Sequence, residues 1–175
     1  FCSMISLVNN MVPIATFIYY PLKKIFVYAF KNFGAFSVDI NTQISTKLLI
    51  KPYKGLKILG SGGSKGIPDN YRQSILNNLK TNTKRLFIGS AGIETIMLAK
   101  NEIQFVFHGR VTPWDHSPMD LITKEAGGFV YMAINKDEFN IKSKGSILAA
   151  CDIKTWDKTR DLIIPTDNPY RRYKN

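Results

Sequence analysis

Cysteine is scarce in this chain. Cys2 and Cys151 are the only two in 175 residues, they lie far apart, and neither has metal-ligand spacing around it. A thiolate metal centre is thereby excluded. Both lie in apolar runs and read as reduced core residues of a cytoplasmic protein. Long uninterrupted apolar stretches are missing too. The first twenty residues are mostly apolar, but Asn9, Asn10 and Pro13 break them. That pattern fits two strands joined at the Asn pair better than a continuous helix, so no membrane partner is expected. A basic leader with a small-residue cleavage site is also absent. Acidic residues are few: Asp and Glu number 13 against 24 Lys and Arg, for a formal net charge of +11. Such a balance raises nucleic acid as a partner. The cations are scattered, however, and their densest groups are Lys23-Lys24, Lys142 with Lys144, and Arg171-Arg172 with Lys174. No nucleic-acid module matches them, so a solvated lysine-rich surface and no nucleic-acid partner are expected. Internal repeats and low-complexity tracts are absent as well.

What is present is enough for a core. Hydrophobic residues make up 45% of the chain, and eleven Phe and eight Tyr point to substantial sheet. Residues 3–8 and 12–20 read as strands around Asn9-Asn10. A turn at 21–24 leads to strands at 25–30 and from Gly34, an antiparallel meander. Residues 38–54 are mixed in character and read as a crossover. A short strand at 56–59 then runs into a glycine loop, residues 60–64. Beyond it the pattern alternates: a helix from Pro68 to about Lys80, a strand at 85–88, a helix at 90–100, a strand at 104–109, a helix from Pro113, a strand at 129–133, a strand at 146–151 and a helix at 153–164. Strand–helix alternation implies an α/β layered protein with some parallel pairing. The composition shift near residue 54 divides it into 1–54, an antiparallel sheet, and 55–175, an α/β domain. The last ten residues, rich in Pro and charge, read as a loose tail.

The most informative stretch runs from Trp114-Asp115 to Glu125-Ala126-Gly127-Gly128. Pro113 suits a first helical turn, where its missing N–H is no loss. Asp115 falls near the positive end of that helix, where a carboxylate is favoured. Met119, Leu121, Ile122 and Ala126 give a buried stripe, and Gly127-Gly128 ends the helix. A carboxylate fixed at a helix start is a ligand suited to a hard cation such as Mg2+. Glu125, nearly three turns further along, is expected to serve packing or capping.

This string closely resembles the second signature of the inositol monophosphatase family, W-D-x5-L-I-x2-E-A-G-G. The resemblance extends over nearly all of the chain. Phe1 to Val8 looks like the strand after the family's first signature. Gly34-Ala35-Phe36 resembles its G-x-G-A-F turn, and Gly89-Ser90-Ala91 its G-S-A-A element, with Glu94 and Leu98 continuing that helix. The resemblance implies an αβαβα sandwich, incomplete at its N-terminus. It also implies a Mg2+-dependent phosphatase of small phosphorylated metabolites, with Asp115 as metal ligand and catalytic residue. Gly89, Ser90 and Ala91 would hold the alcohol part of the substrate, since free N–H groups at a helix start favour oxygen-rich ligands. Ser61 lines up with another substrate-side position, where a plain glycine loop is the alternative. His108 stands where inositol-specific members carry a Glu that binds inositol hydroxyls. It can hydrogen-bond a hydroxyl or serve structure, and inositol 1-phosphate as sole substrate is put in doubt. His116 could contact a phosphate or a water, or be buried.

The family's first signature, D-P-I-D-G-T, is not found in the chain. It would supply most of the metal ligands and should lie just before Phe1; the first residue is Phe, not Met, and a truncated chain is expected. Clustered cations for phosphoryl chemistry need several carboxylates, and one Asp does not suffice. The leading reading is therefore the C-terminal portion of a Mg2+-dependent phosphomonoesterase of a sugar, polyol or nucleotide-type phosphate, possible as a homodimer. A catalytically inactive binding or structural protein derived from the family is the alternative.

Overall fold

The computed structural model describes residues 1–173. Five strands form a first, antiparallel sheet in sequence order: β1 (Ser3–Asn9), β2 (Val12–Tyr20), β3 (Ile25–Phe30), β4 (Gly34–Asp39) and β5 (Ser45–Leu48). The meander expected from the sequence is therefore present, and Asn10 and Met11 make its first turn with positive φ. The stretch expected to be a plain crossover is corrected in part. Ser45–Leu48 adds a fifth strand, with Ala35 opposite Leu48 and Val38 opposite Ser45. Its polar outer residues hid a pairing that only the exposed edge of β4 induces.

The second sheet has the order β7-β6-β8-β10-β9, built from β6 (Leu59–Gly63), β7 (Lys84–Leu86), β8 (Phe105–His108), β9 (Phe129–Met132) and β10 (Ile147–Ala150). Strand β6 is parallel to both β7 and β8, whereas β10 is antiparallel to β8 and β9. Here the glycine loop expected at 60–64 is corrected, because most of it is strand β6. Glycine is required there by close approach. A Cβ on Gly60 would stand 2.2 Å from the Phe105 ring, and one on Gly62 would stand 2.9 Å from Leu79. The glycines let bulky neighbours lie on the backbone, a tertiary reason that turn statistics miss.

Four helices separate and cover the sheets: α1 (Asp69–Asn82), α2 (Ala91–Ala99), α3 (Pro113–Glu125) and α4 (Ile153–Ile163). Alternation along the strands assigns the layers. Val106, Ile147, Ala149 and Val130 join Ile18, Val27, Ala29, Leu98 and Ile122 in one buried cluster, so α2 and α3 lie between the sheets. Phe105, Phe107, Leu148 and Ala150 face the other way, onto Ile75 and Leu79 of α1 and Trp156 and Ile163 of α4. The described layers run sheet, helix pair, sheet, helix pair. No described helix is long and apolar enough to cross a membrane. The tail is corrected as well. Residues Pro169–Arg172 form a 3-10 turn whose Tyr170 is 1% exposed and packs on Tyr71 and Tyr173. Residues 174 and 175 of that tail lie outside the described residues.

Glu125 links the helix layer to the first sheet. Its carboxylate accepts the Asn32 N–H of the β3–β4 turn at 2.7 Å and the N–H of Gly34, the first residue of β4, at 2.8 Å. The capping role expected for Glu125 is thus directed at a distant hairpin. Directly after it, the Gly127 N–H reaches Lys124 O and the Gly128 N–H reaches Thr123 O, with Gly127 at φ +93°. These two bonds make a Schellman closure. Glu125→Ala removes two charge-assisted bonds and is expected to cost about 2 kcal/mol in urea unfolding.

The outer face of the first sheet carries a ladder of rings. Phe17 contacts Phe26 and Phe30, and Tyr28 contacts Phe26, Phe30 and Phe36. Beside them Ile5 and Leu7 are 67% and 60% exposed. Apolar faces of this kind associate. Sedimentation velocity of the isolated chain is expected to show dimers or larger species; a clean, stable monomer would contradict this.

Candidate active site

Several of the chain's candidate site residues lie where parallel strands lead into helices. Strand β7 leads through residues 87–90 into α2, with Gly89 at φ +72° and Ser90 as N-cap. The Ser90 side chain makes no cap bond to its own helix. It lies 3.6 Å from Cys2 Sγ instead, so the first turn of α2 keeps N–H groups to offer. Strand β8 ends at His108 and leads through residues 109–112 into α3. Ligands of open α/β sheets collect at such carboxyl ends, beside helix starts.

Asp115 is half-buried in the first turn of α3, where its Oδ2 accepts the Thr112 hydroxyl at 2.7 Å. Thr112, the N-cap, thereby orients the carboxylate instead of capping with its own oxygen. Trp114 beside it is 70% exposed, and Phe87, near Gly89, is 83% exposed. A Mg2+ site needs about six oxygen ligands. Among the described residues no group of three or more His, Cys, Asp or Glu is arranged to hold a metal. Asp115 offers one carboxylate, so the residues present do not make a complete Mg2+ site.

The remaining candidates form one buried polar chain. Ser61 belongs to strand β6, not to a loop; it is 2% exposed and donates its hydroxyl to Glu94 Oε1 at 2.6 Å. Glu94 Oε2 is 2.7 Å from His108 Nε2, and His108 Nδ1 is 2.8 Å from His116 Nε2. His116 is 2% exposed, so the buried alternative for this residue is the observed one. The Thr112 N–H meets its Nδ1 at 2.9 Å. Both ring nitrogens of His108 are therefore engaged inside the protein. Ser61, Glu94, His108 and His116 come together; Gly89, Ser90 and Ala91 begin the helix that carries Glu94. Sequence reasoning passed over Glu94 as a mere helix residue. A signal existed, because a carboxylate stands amid the apolar run from Ile93 to Leu98 and charges are rarely buried unpaired.

Burial opposes ionisation of Glu94 most strongly, yet the bonds and charge from His108 and the Ser61 bond outweigh it and hold its pKa below the ordinary value. Burial, aided by His108, pushes His116 down to about 4. On the same helix Asp120, 3% exposed and paired with Lys124 at 2.8 Å, is pushed up to about 6 by burial, against the pull of Lys124.

The chain belongs to the inositol monophosphatase family, whose sequence model matches residues 1–166. Among solved structures, the inositol monophosphatase of Anabaena (Nostoc) superposes with a TM-score of 0.78 at 22% identity, covering 95% of this chain and 66% of that one. The Thermotoga maritima enzyme gives 0.75 at 21%, covering 93% and 60%. SaIMPase-II, solved with bound 2'AMP, gives 0.72 at 18%, covering 97% and 62%. The chain thus spans about two thirds or less of the length of these proteins. No curated protein matches it.

The two buried titrations act oppositely on stability. His116 has a folded pKa below its unfolded value, so between about pH 4 and 6.5 the unfolded chain binds more protons and stability rises with pH. Asp120 has a folded pKa above its unfolded value, so from about pH 4 to 6 stability falls with pH. In the native protein the two slopes offset. Asp120→Asn is expected to leave a stability that climbs across this window, and His116→Gln one that declines. Urea unfolding at pH 4, 5, 6 and 7 reads both signs.

Proposed function

We propose that this chain is the C-terminal portion of a Mg2+-dependent phosphomonoesterase that hydrolyses a small sugar, polyol or nucleotide-type phosphate. The observation that carries the reading is Asp115. Thr112 holds its carboxylate at the start of α3, beside the relay into α2, within a chain whose family match spans residues 1–166. In this reading the N–H groups at Ser90 and Ala91, reached through the positive-φ Gly89, hold oxygens of the leaving alcohol. Ser61 and His108 contribute from beneath, through Glu94, rather than by direct polar contact. Asp115 supplies one carboxylate towards Mg2+, and the further ligands come from outside these residues. SaIMPase-II is recorded with inositol monophosphate as well as with 2'AMP, which supports a phosphate monoester class broader than one sugar. A cytoplasmic location, a small phosphorylated metabolite as partner and a homodimer complete the proposal.

With a single carboxylate available, the 175-residue chain is expected to show negligible Mg2+-dependent turnover of inositol 1-phosphate or fructose 1,6-bisphosphate. Turnover abolished by Asp115→Asn would mean that the site is already complete. When the chain is joined to a segment bearing D-P-I-D-G-T, Asp115→Asn is expected to cut kcat by orders of magnitude with the fold intact. Full activity and Mg2+ affinity in that variant would overturn the assignment.

A further inference from the structure

The sequence contains two histidines, and both lie in one line of hydrogen bonds. It runs from Ser61 through Glu94, His108 and His116 to the backbone of Thr112. Ser61 donates to Glu94 Oε1 at 2.6 Å, and the other Glu94 oxygen is 2.7 Å from His108 Nε2. His108 Nδ1 is 2.8 Å from His116 Nε2. At the far end His116 Nδ1 accepts the Thr112 N–H at 2.9 Å and stands equally close to Thr112 O, so the ring is set against both polar atoms of that backbone.

What the line holds in place is the entry to α3. Residues 109–112 have no regular structure, and they are tied by few bonds, among them Val111 N–H to Gly145 O at 3.0 Å. An N-cap N–H without a partner is one of the weak points of any helix start. Here His116, one turn on, accepts it. Thr112 in turn donates its hydroxyl to Asp115. We infer that Glu94 is a positioning residue: through His108 and His116 it fixes the backbone of Thr112, and with it the hydrogen bond that orients the Asp115 carboxylate. The inference deepens the proposed function and rests on it only for the use to which Asp115 is put. Partners of this outer kind set the tautomer and orientation of the groups that they support.

The test is magnetic resonance on the whole chain, where every imidazole signal belongs to His108 or His116. Glu94→Leu removes the terminal acceptor. It is expected to move the ring nitrogen signals of both histidines, to speed amide exchange at Thr112 by about tenfold, the size of one net hydrogen bond, and to move the Asp115 carboxyl carbon signal. Amides within β8 and β10 should keep their protection. Glu94→Gln retains an oxygen for His108, while Ser61 can turn to accept from the amide, so it should restore all three readouts. A Glu94→Leu variant with all three readouts unchanged would overturn the inference. Where Glu94→Leu fails to fold, the native protein decides: a through-hydrogen-bond coupling between His108 Nδ1 and His116 Nε2 is expected, and its absence would overturn the inference equally. Absence of phosphatase activity in any form of the protein would remove the proposed function and leave these signals untouched.

Discussion

A carboxylate that is 4% exposed must be paired on every side or give up its charge, and Glu94 is the place where this protein meets that constraint. Its two oxygens collect Ser61 from β6 and His108 from β8, and His108 brings in His116 from α3. Two strands of the second sheet and two helices of the central layer are thereby held in one register. Apolar packing alone would leave those helices free to slide, because hydrophobic burial has no direction. The polar line supplies the direction, and its partners are useful only while all of them are present.

Close backbone approach does the complementary work. Gly92, in the first turn of α2, admits Cys2, just ahead of β1, and Met4 within it. A Cβ there would stand 2.4 Å from Cys2 Sγ and 2.7 Å from Met4 Sδ. Gly60 performs the same service between β6 and Phe105. The central helix layer thus meets the first sheet closely at Gly92, and the Glu125 carboxylate reaches from its far end to the β3–β4 hairpin. One end of α3 is secured by the relay and the other by that clamp. Asp115 and Glu125, ten residues apart on one helix, serve different layers for this reason.

The boundary near residue 54 falls in the connection between the sheets, yet the buried cluster runs across it from Val27 to Val106 and Ile147. Side chains from both halves fill one interior. Asn101 shows how the connection is held: its side chain accepts the Lys51 N–H at 2.7 Å and donates to Leu49 O at 2.9 Å, standing in for a strand partner. Asp152 caps α4 through Thr155 and also accepts the Tyr53 N–H.

Local chemistry by itself determined much of this protein. The period-2 runs of β1 to β4, the helix from Pro113 to the Gly127-Gly128 stop and the separation of Asp115 from Glu125 were all legible, because each depends on neighbours within a few residues. Partners distant in the chain decided the rest. Ser45–Leu48 became a strand because β4 offered an unpaired edge, and within strand β6 Gly60 and Gly62 leave space that Phe105 and Leu79 need. Tyr170 was drawn out of a tail that its own sequence marks as loose. Glu94 gained its place because Ser61 and His108, 33 and 14 residues away, are brought to it by parallel pairing of β6 with β8. A hydrogen bond over that separation leaves no periodic mark in a sequence, and only the folded chain can form it.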